Sequence, residues 1–481
     1  MKLSKLLTPM IAASAAIVGL LFGYLFGYDV GIISGAIIFV KPYFMLSSSQ
    51  VGLIVSAVAF GAFISALLCG RLGDRYGRKN LLIITAILFG IGSLICGVST
   101  SIDQLCTGRV ILGVAVGLGS FTAPLYISEI SPKNIRGRLV TFNQFAITLG
   151  ICLAYVVNLV FAQSGNWRAM LLMGVLPAAL LLIMLVFLPK SPRWLMARNQ
   201  PKKAKEVLEK IHGYVQAVAE FNEIRTIIDK ERNKTSIFNR QYIKPLLLGV
   251  TISIITQAVG INAIIYYAPV IFKLTGFSKN TTAIFATLGV GMTNVLFTLL
   301  AILIIDKVGR RKLLLSGLFG IVLSLAVIIG AFSEDVNAVS LAWLTLVAML
   351  VFIACQAFST GPACWLIPAE IFPTKIRSAG VGISTACNWG TNVIVAFLFP
   401  VILSSYGAVA AFSLFLVIGV IGFIYVFFKL PETKGTSLED IEANILQGAP
   451  LRQLGSAPLA DISLAVSPSY DINDQINCTL P

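Results

Sequence analysis

Long apolar stretches alternate with short polar segments along most of the chain. Twelve stretches are long enough to cross a hydrocarbon core of about 30 Å as helices, and they lie near residues 10–35, 51–71, 81–99, 107–128, 139–162, 168–188, 245–272, 283–305, 313–332, 341–369, 378–403 and 408–429. These are continuous apolar runs and not the alternating segments of a membrane β-barrel. The pattern therefore predicts an all-α membrane protein with twelve transmembrane helices.

A long polar break divides the chain into two halves. Residues 1–188 are predicted to form one six-helix bundle and residues 245–430 a second one. Between them, residues 189–244 contain charged helix-forming segments, for which we expect amphipathic helices at the membrane surface. The composition becomes polar near the end of the chain, so we expect residues 431–481 to form a tail that is largely disordered.

The composition agrees with this pattern and excludes a water-soluble fold. Apolar residues make up 57% of the chain and charged residues only 12%, against about 25% charged residues in soluble domains. The eight cysteines form no CxxC pair. Most of them lie in apolar runs, which predicts packing roles rather than a disulfide or zinc framework.

The net charge of +15 indicates sidedness rather than a nucleic-acid partner. If the N-terminus is cytoplasmic, 31 of the 36 lysines and arginines fall on the cytoplasmic side, and the other five are Lys41, Arg109, Arg168, Lys273 and Lys279. Basic residues concentrate in cytoplasmic loops. We therefore expect a multi-pass protein of the cell membrane, plasma or inner, with both termini cytoplasmic.

Two motifs occur at matching positions of the two halves. Residues 74–79 and 306–311 follow the pattern D-[RK]-x-G-R-[RK], after the second and the eighth span. Residues 129–136 and 370–377 follow the pattern E-I-x-P-x-x-I-R, after the fourth and the tenth span. Unrelated basic loops are the alternative, but the matched order favours an internal duplication, as in proteins that rock two bundles about a central site.

The charged side chains of these motifs lie at predicted helix ends. There they can form charge-assisted hydrogen bonds between neighbouring helices, and such bonds can break and re-form as two bundles move. We predict a cytoplasmic gating network made of Asp74, Arg78, Glu129, Arg136, Asp306, Arg310, Glu370 and Arg377.

The chain resembles the sugar porter family of the major facilitator superfamily over roughly residues 10–440. The resemblance is carried by GRLGDRYGRK at 70–79, YISEISPKNIRG at 126–137, PKSPRWL at 189–195, GINAIIYYAP at 260–269, DKVGRRK at 306–312 and PETKG at 431–435. It implies twelve helices in two six-helix bundles and a central sugar site. It also implies either facilitated diffusion or proton-coupled uptake.

One acidic residue, Asp29, lies well inside a predicted span. A carboxylate in lipid is costly, so it must face the bundle interior with a partner or carry a proton for part of a cycle. We expect the partner to be Arg109, because the first and fourth helices should be neighbours. A carboxylate that loses such a partner in an apolar site binds a proton. Proton symporters of the family carry aspartate here, which favours proton coupling by this pair over a static stabilising contact.

A sugar site needs neutral groups that donate and accept hydrogen bonds, and an aromatic ring for the apolar face of the sugar. By resemblance, seven residues of the spans match sugar ligands: Gln144, Gln257, Asn262, Asn294, Trp365, Asn388 and Trp389. The alternatives are hydrogen bonds between helices for the amides and ordinary packing for the tryptophans. Gly361 and Pro362 should bend the tenth helix, so that its outer half can move as a gate.

Two features depart from the family pattern. Thr256 occupies a position at which many relatives carry glutamine, which removes one long amide from the site. The tetrapeptide Leu-Phe-Gly-Tyr occurs twice within residues 21–28, where relatives show it once. Four extra residues add about 6 Å of helix and rotate the preceding face by about 40°.

These patterns together predict a proton-coupled importer of a hexose or pentose that works by alternating access. A myo-inositol or polyol symporter, a sugar uniporter and a non-transporting sugar receptor are the alternatives. We expect no enzyme activity, cofactor or metal, because His212 is the only histidine and no P-loop occurs. The expected partners are a small sugar or polyol, a proton and the lipid bilayer, and we expect the protein to act as a monomer.

Overall fold

A computed structural model of the chain describes residues 2–131, 136–212, 214–231, 239–277, 279–333, 337–373 and 376–456. Only the backbone is described for residues 2–15, 136–138, 140–141, 212, 214–216, 227–231, 240, 306 and 338. The side chains of Arg136 and Asp306 thus lie outside the described part of the network predicted above. Of the tail predicted to be largely disordered, residues 457–481 also lie outside the described residues, whereas residues 431–456 are described and contain two short helical elements.

Helices account for nearly all of the described chain. The first half contains α1 (Lys2–Tyr43), α2 (Ser48–Tyr76), α3 (Arg78–Gly97), α4 (Ile102–Ile130), α5 (Arg136–Ala162), α6 (Trp167–Leu172) and α7 (Val175–Phe187). The central segment contains α8 (Pro192–Ala197), α9 (Pro201–His212) and α10 (Tyr214–Glu231). The second half contains α11 (Arg240–Ala258), α12 (Ile261–Leu274), α13 (Asn280–Val308), α14 (Arg310–Ser333), α15 (Ala338–Cys355), a π-helical turn (Gln356–Thr360), α16 (Gly361–Ile371) and α17 (Arg377–Lys429). The tail adds α18 (Leu438–Leu446) and a 3₁₀ turn (Leu451–Gln453).

Eleven stretches of described helix are long and apolar enough to cross a membrane. Three of them join two helices each: α6 with α7, α11 with α12, and α15 with α16. The last stretch, α17, has 53 residues, and Gly407 within it has non-helical backbone angles of φ 81° and ψ 174°. This kink divides α17 into residues 377–406 and 408–429, each long enough to span about 30 Å. The prediction of twelve spans is therefore confirmed.

Several helices begin at a serine whose hydroxyl oxygen accepts a hydrogen bond from the backbone N–H three residues later. This holds for Ser47, Ser101, Ser191 and Ser437, which precede α2, α4, α8 and α18. Such a cap satisfies one of the N–H groups that a helix start leaves without a partner, and is worth about 1 kcal/mol. The caps therefore explain why these helices start where the polar segments end.

The first span is an unbroken helix that packs tightly along α5. Its contact face carries a glycine every four residues, at Gly23, Gly27, Gly31 and Gly35. The approach is closest at Gly27, where a Cβ would come within 1.9 Å of the carbonyl oxygen of Ile147. Two of these glycines belong to the repeated tetrapeptide. Its four-residue period continues the glycine face along α1, so the repeat extends the contact with α5.

Two spans of the second half are irregular near their middle. Between α11 and α12, Gly260 adopts the left-handed conformation with φ 95°, which glycine tolerates without steric cost. In the tenth span, the π-helical turn at Gln356–Thr360 directly precedes Gly361 and Pro362. An irregularity is thus present where the glycine and proline predicted a bend, and the gating movement of this span stays a prediction.

The described beginning of the tail packs against the second half. A small apolar cluster joins Ile441, Ile445 and Leu454 of the tail to Tyr242 and Ile376. The Asn444 amide inside this segment donates hydrogen bonds to the carbonyls of Leu454 and Ser456. Residues 438–456 therefore form a compact cap on the ends of α11 and α17.

Candidate ligand pocket, ion pair and duplicated clusters

A charged cluster joins three segments of the first half. Arg78, the first residue of α3, lies 3.2 Å from a carboxylate oxygen of Glu129 in α4 and 3.4 Å from Asp74 in α2. The hydroxyl of Ser191, which follows the sixth span, donates a hydrogen bond to the other Glu129 oxygen. The Glu129 carboxylate is almost fully buried, and an arginine and a hydroxyl together balance its charge.

A matching cluster occurs in the second half. The Arg310 guanidinium lies 3.0 Å from Glu370, and the Thr433 hydroxyl donates to the other Glu370 oxygen at 2.5 Å. The two arginines follow glycines with nearly the same backbone angles: φ 85° and ψ 154° at Gly77, φ 95° and ψ 155° at Gly309. Because spans alternate in direction, both clusters lie at one end of the molecule, which we call the motif end. The opposite end is called the far end.

The hydroxyls of these clusters reveal a third repeat that the sequence analysis missed. Leu188-Pro189-x-Ser191 and Leu430-Pro431-x-Thr433 occupy matching positions after the sixth and the twelfth span. Each supplies the hydroxyl that bonds the glutamate of its half. The shared Leu-Pro pair was the signal, but only its proline belongs to the PKSPRWL and PETKG segments, which otherwise differ.

Arg377, a further member of the predicted network, is the first residue of α17. Its Nε donates to the carbonyl of Phe372 at 3.0 Å, within the loop between α16 and α17. The carboxylates of Glu439 and Glu442 in the tail helix lie close enough to act on its charge. Another carboxylate of the tail, Glu432, accepts hydrogen bonds from the backbone N–H groups of Arg310 and Arg311 at the start of α14.

A buried ion pair lies between the first and fourth spans. The Arg109 guanidinium donates to Asp29 Oδ1 at 2.9 Å, and the two side chains are only 1% and 3% exposed. Arg109 Nε also contacts the Ile54 carbonyl at 3.4 Å. The second oxygen, Asp29 Oδ2, has no hydrogen-bond partner among the described residues. The predicted contact is therefore present, and one carboxylate oxygen in it is available to a proton.

A cavity of about 130 Å³ lies between the two halves. All seven residues predicted from the resemblance line it: Gln144, Gln257, Asn262, Asn294, Trp365, Asn388 and Trp389. Further polar lining residues are Thr148, Thr256, Tyr266, Thr298, Gln356, Thr360 and Asn392. Val30, the neighbour of Asp29 on α1, also lines it. Concave, mainly apolar pockets with a few polar groups are typical of small-molecule sites.

Three of the predicted amides form a hydrogen-bonded chain across the pocket wall. Asn262 Nδ2 donates to Gln257 Oε1 at 2.7 Å, and Gln257 Nε2 donates to Asn388 Oδ1 at 3.1 Å. Asn388 Nδ2 then donates to the Ser253 carbonyl at 3.1 Å. These hydrogen bonds fix the orientations of the three amides. The same side chains therefore bond between helices and also line the pocket, so the two roles given as alternatives are compatible.

An aromatic contact crosses the pocket from one half to the other. The ring of Trp389 lies 5.6 Å, centroid to centroid, from the ring of Phe26 on α1. The indole Nε1 of Trp389 is buried and has no partner among the described residues. The tryptophan thus offers a ligand an apolar surface.

Two amides of the pocket wall were missed by sequence reasoning. Asn392 Nδ2 donates to the Tyr266 hydroxyl at 3.3 Å, while Asn392 Oδ1 finds no partner in the described part of the chain. Gln356 lies in the π-helical turn of the tenth span. Asn392 follows Asn388 by four residues, so it shares a helix face with a predicted ligand. That spacing was a usable signal, whereas Gln356 had only its position inside a span.

The two halves pack closely toward the far end. The backbone of Gly52 in α2 approaches α17 so closely that a Cβ there would come within 2.5 Å of the Phe397 carbonyl oxygen. The Tyr155 hydroxyl of α5 donates to the Ile265 carbonyl of α12 at 3.1 Å. Tyr266 and its neighbour Tyr267 are both buried, at 2% and 1% exposure. The pocket is therefore covered at the far end.

A family model described as "Sugar (and other) transporter" matches residues 15–445 of this chain. The chain belongs to the sugar porter family. The arabinose-proton symporter of Escherichia coli (strain K12) is 38% identical to this transporter over 452 residues, which cover 92% of this chain and 95% of that protein. The galactose-proton symporter of the same strain is 37% identical over 456 residues, covering 94% and 97%.

Solved structures agree with this assignment. The xylose transporter XylE from E. coli, in a partially occluded inward open conformation, matches with a TM-score of 0.78 at 32% identity, covering 89% of this chain and 100% of that one. This sugar porter therefore has the major facilitator fold, with twelve helices in two bundles. It is a multi-pass membrane transporter and not an enzyme.

Proposed function

We propose that this transporter couples the movement of a proton to the uptake of a monosaccharide, a hexose or a pentose, by alternating access. The observation that carries the proposal is the buried Asp29–Arg109 pair, one residue along α1 from the pocket wall at Val30. The relatives named as arabinose-proton and galactose-proton symporters support the same coupling.

The amide-lined cavity is the proposed sugar site. Sugar hydroxyls both donate and accept hydrogen bonds, and amides satisfy both needs. The proposed ligands are the seven pocket residues inferred from the family, with Trp365 and Trp389 packing on the apolar face of the sugar. Thr256 is short and donates to the Ser253 carbonyl at 3.0 Å, so its hydroxyl is already engaged.

The ion pair is the proposed proton switch. While Arg109 holds it, Asp29 stays ionised; when the helices shift and the pair separates, the carboxylate in its apolar site binds a proton at Oδ2. Release of that proton on the other side restores the pair. Each proton that crosses 100 mV contributes about 2.3 kcal/mol, enough for a sugar gradient of about fifty-fold.

The motif end is proposed to face the cytoplasm, because 31 of the 36 basic residues then fall on that side. Residues 1–188 and 245–430 would form the two bundles, connected by residues 189–244, and the protein would act as a monomer. In this scheme the Glu129 and Glu370 clusters hold the motif end and re-form as the bundles rock. Close packing at the far end corresponds to a pocket covered on the outside.

The decisive experiment is counterflow in proteoliposomes with labelled L-arabinose, D-galactose, D-xylose, D-glucose and myo-inositol, followed by uptake under an imposed proton gradient. We expect exchange of at least one monosaccharide and its accumulation when the outside is acidic. Exchange of myo-inositol alone would indicate a polyol symporter, and exchange without gradient-driven accumulation a uniporter. Binding without any exchange would contradict a transport function.

A further inference from the structure

Gln356 lies in the pocket wall with an amide nitrogen that makes no hydrogen bond to the described residues. The residue is 6% exposed and lines the cavity from the tenth span. Its Oε1 accepts a hydrogen bond from the hydroxyl of Thr360, one π-helical turn further on. Its Nε2 makes no hydrogen bond with the described residues.

Gln257 and Asn388, two other amides of the second half, differ from Gln356 in this respect. Gln257 uses both its oxygen and its nitrogen in contacts with Asn262 and Asn388. Asn388 in turn uses both atoms, toward Gln257 and Ser253. Gln356 is held only at its oxygen, so its two N–H donors remain for a molecule in the cavity.

The backbone of this segment also points to a role in the site. Residues 356–360 form a π-helical turn, closed by the N–H of Gly361 donating to the Gln356 carbonyl. Such turns are rare, are less favourable than the α-helix, and occur frequently at functional sites. Here the turn carries Gln356, Ala357 and Thr360 into the cavity wall together.

We propose that Gln356 binds an oxygen of the transported sugar, a hydroxyl or the ring oxygen, through Nε2, and that it helps to select the substrate. Thr360 is the positioning residue, because its hydroxyl holds Oε1 and so directs Nε2 into the cavity. The proposal rests on the proposed sugar-transport function. It adds an amide from the tenth span, which also carries Trp365, to the proposed ligands.

Sugar binding to the purified full-length chain tests this role. Affinities for D-galactose, L-arabinose and D-xylose are measured by titration calorimetry for the wild type and Gln356→Leu, which keeps similar volume without the amide. We expect the variant to bind the preferred sugar about tenfold more weakly, because one sugar oxygen loses its donor. Thr360→Val should cause a smaller loss, and Gln447→Leu on the exposed surface should cause none.

Deoxy analogues of the preferred sugar distinguish a direct contact from a structural effect. The analogue that lacks the contacted hydroxyl should bind wild type and Gln356→Leu equally, while the other analogues should keep the tenfold difference. A contact with the ring oxygen is tested in the same way by the carbocyclic analogue. If wild type and Gln356→Leu differ equally in affinity for every analogue, including the carbocyclic one, or do not differ for any, Gln356 is not a ligand. Gln356→Asn provides a second variant if the leucine protein does not fold. Wild-type protein that binds no sugar would contradict the proposed function instead.

Discussion

The first spans of the two halves occupy equivalent places but are built differently. In the first half, α1 is one unbroken helix and carries Asp29. In the second half, the equivalent span is interrupted between α11 and α12 at Gly260. Gln257 and Asn262 lie on either side of this interruption and are joined by a hydrogen bond of 2.7 Å.

The packing explains the difference. The glycine face of α1 lets its backbone lie directly on α5, which needs a regular helix over the whole contact. At Gly260 the backbone turns left-handed beside the Phe415 ring, where a Cβ would come within 2.5 Å of a ring atom. A regular helix holds a charge at a fixed depth, whereas a break lets two amides approach one ligand from different directions. The proposed proton site thus lies on the regular span, and two of the proposed sugar ligands lie beside the break in the equivalent span.

The motif end provides the opposite case, since both halves there keep the same design. Arg78 with Glu129 and Arg310 with Glu370 share geometry, preceding glycine and bonded hydroxyl. Duplicated parts suit a movement that both bundles share. The first spans of the two halves differ, and they carry the proposed proton carrier in one half and proposed sugar ligands in the other. Substitutions in each span test these two roles separately.

The largest effect is expected for Asp29→Asn, which removes the proposed proton carrier from the first half. A neutral amide cannot take up and release a proton, so gradient-driven accumulation should fall from about fifty-fold per 100 mV to equilibration. Exchange through the unchanged amides should continue. The measurement compares counterflow with gradient-driven uptake in proteoliposomes.

Asp103→Asn is the matched control, because Asp103 is an exposed acid at the start of α4, the helix that carries Arg109. This variant should accumulate sugar like the wild type. Undiminished accumulation by Asp29→Asn would show that the ion pair is a static contact. The proposal that Asp29 carries the proton would then be wrong.

The next effect concerns the second half. Gln257→Ala removes the middle member of the amide chain and leaves Asn262 and Asn388 without their shared partner. Sugar affinity should fall at least tenfold, because a ligand contact and the orientation of two amides are lost together. Titration calorimetry on the purified protein measures the change.

A buried amide outside the pocket serves as control for Gln257→Ala. Asn444, in the tail, is 2% exposed and bonds two carbonyls, so Asn444→Ala should lower stability while leaving affinity unchanged. Equal losses of affinity in both variants would mean that the effect of Gln257→Ala is general destabilisation.

Much of this arrangement could be predicted from the sequence, for physical reasons. Lipid requires long apolar runs, which predicted the twelve spans, and it makes an isolated charge so costly that Asp29 had to have a partner. Arg109 was the basic residue in a neighbouring span. The seven pocket residues came from resemblance, and their convergence on one cavity follows from the fold.

Other features depend on information that residue spacing does not contain. Serine and threonine occur in many environments, so the sequence does not reveal that Ser191 and Thr433 each bond a buried glutamate. The Leu-Pro pair that precedes each of them was the one signal in the sequence. The direction of Gln356 depends on a π-helical turn, which shifts the helix face by one residue and does not follow from hydrophobic periodicity. Arg377 was assigned by analogy with its motif, and the contact of its Nε with the Phe372 carbonyl depends on local loop geometry.

The smallest predicted effect concerns the break itself. Gly260→Ala places a side chain at φ 95° and against the Phe415 ring, which should cost at least about 1–2 kcal/mol of stability. Gly382→Ala, in open space on a helical segment of the same half, should instead be neutral or stabilising by up to about 1 kcal/mol. Thermal unfolding of the purified variants gives the two signs, and sugar titration should show a several-fold loss for Gly260→Ala only. If both alanines have the same effect, the left-handed turn is not required, and α11–α12 could work as a continuous helix like α1.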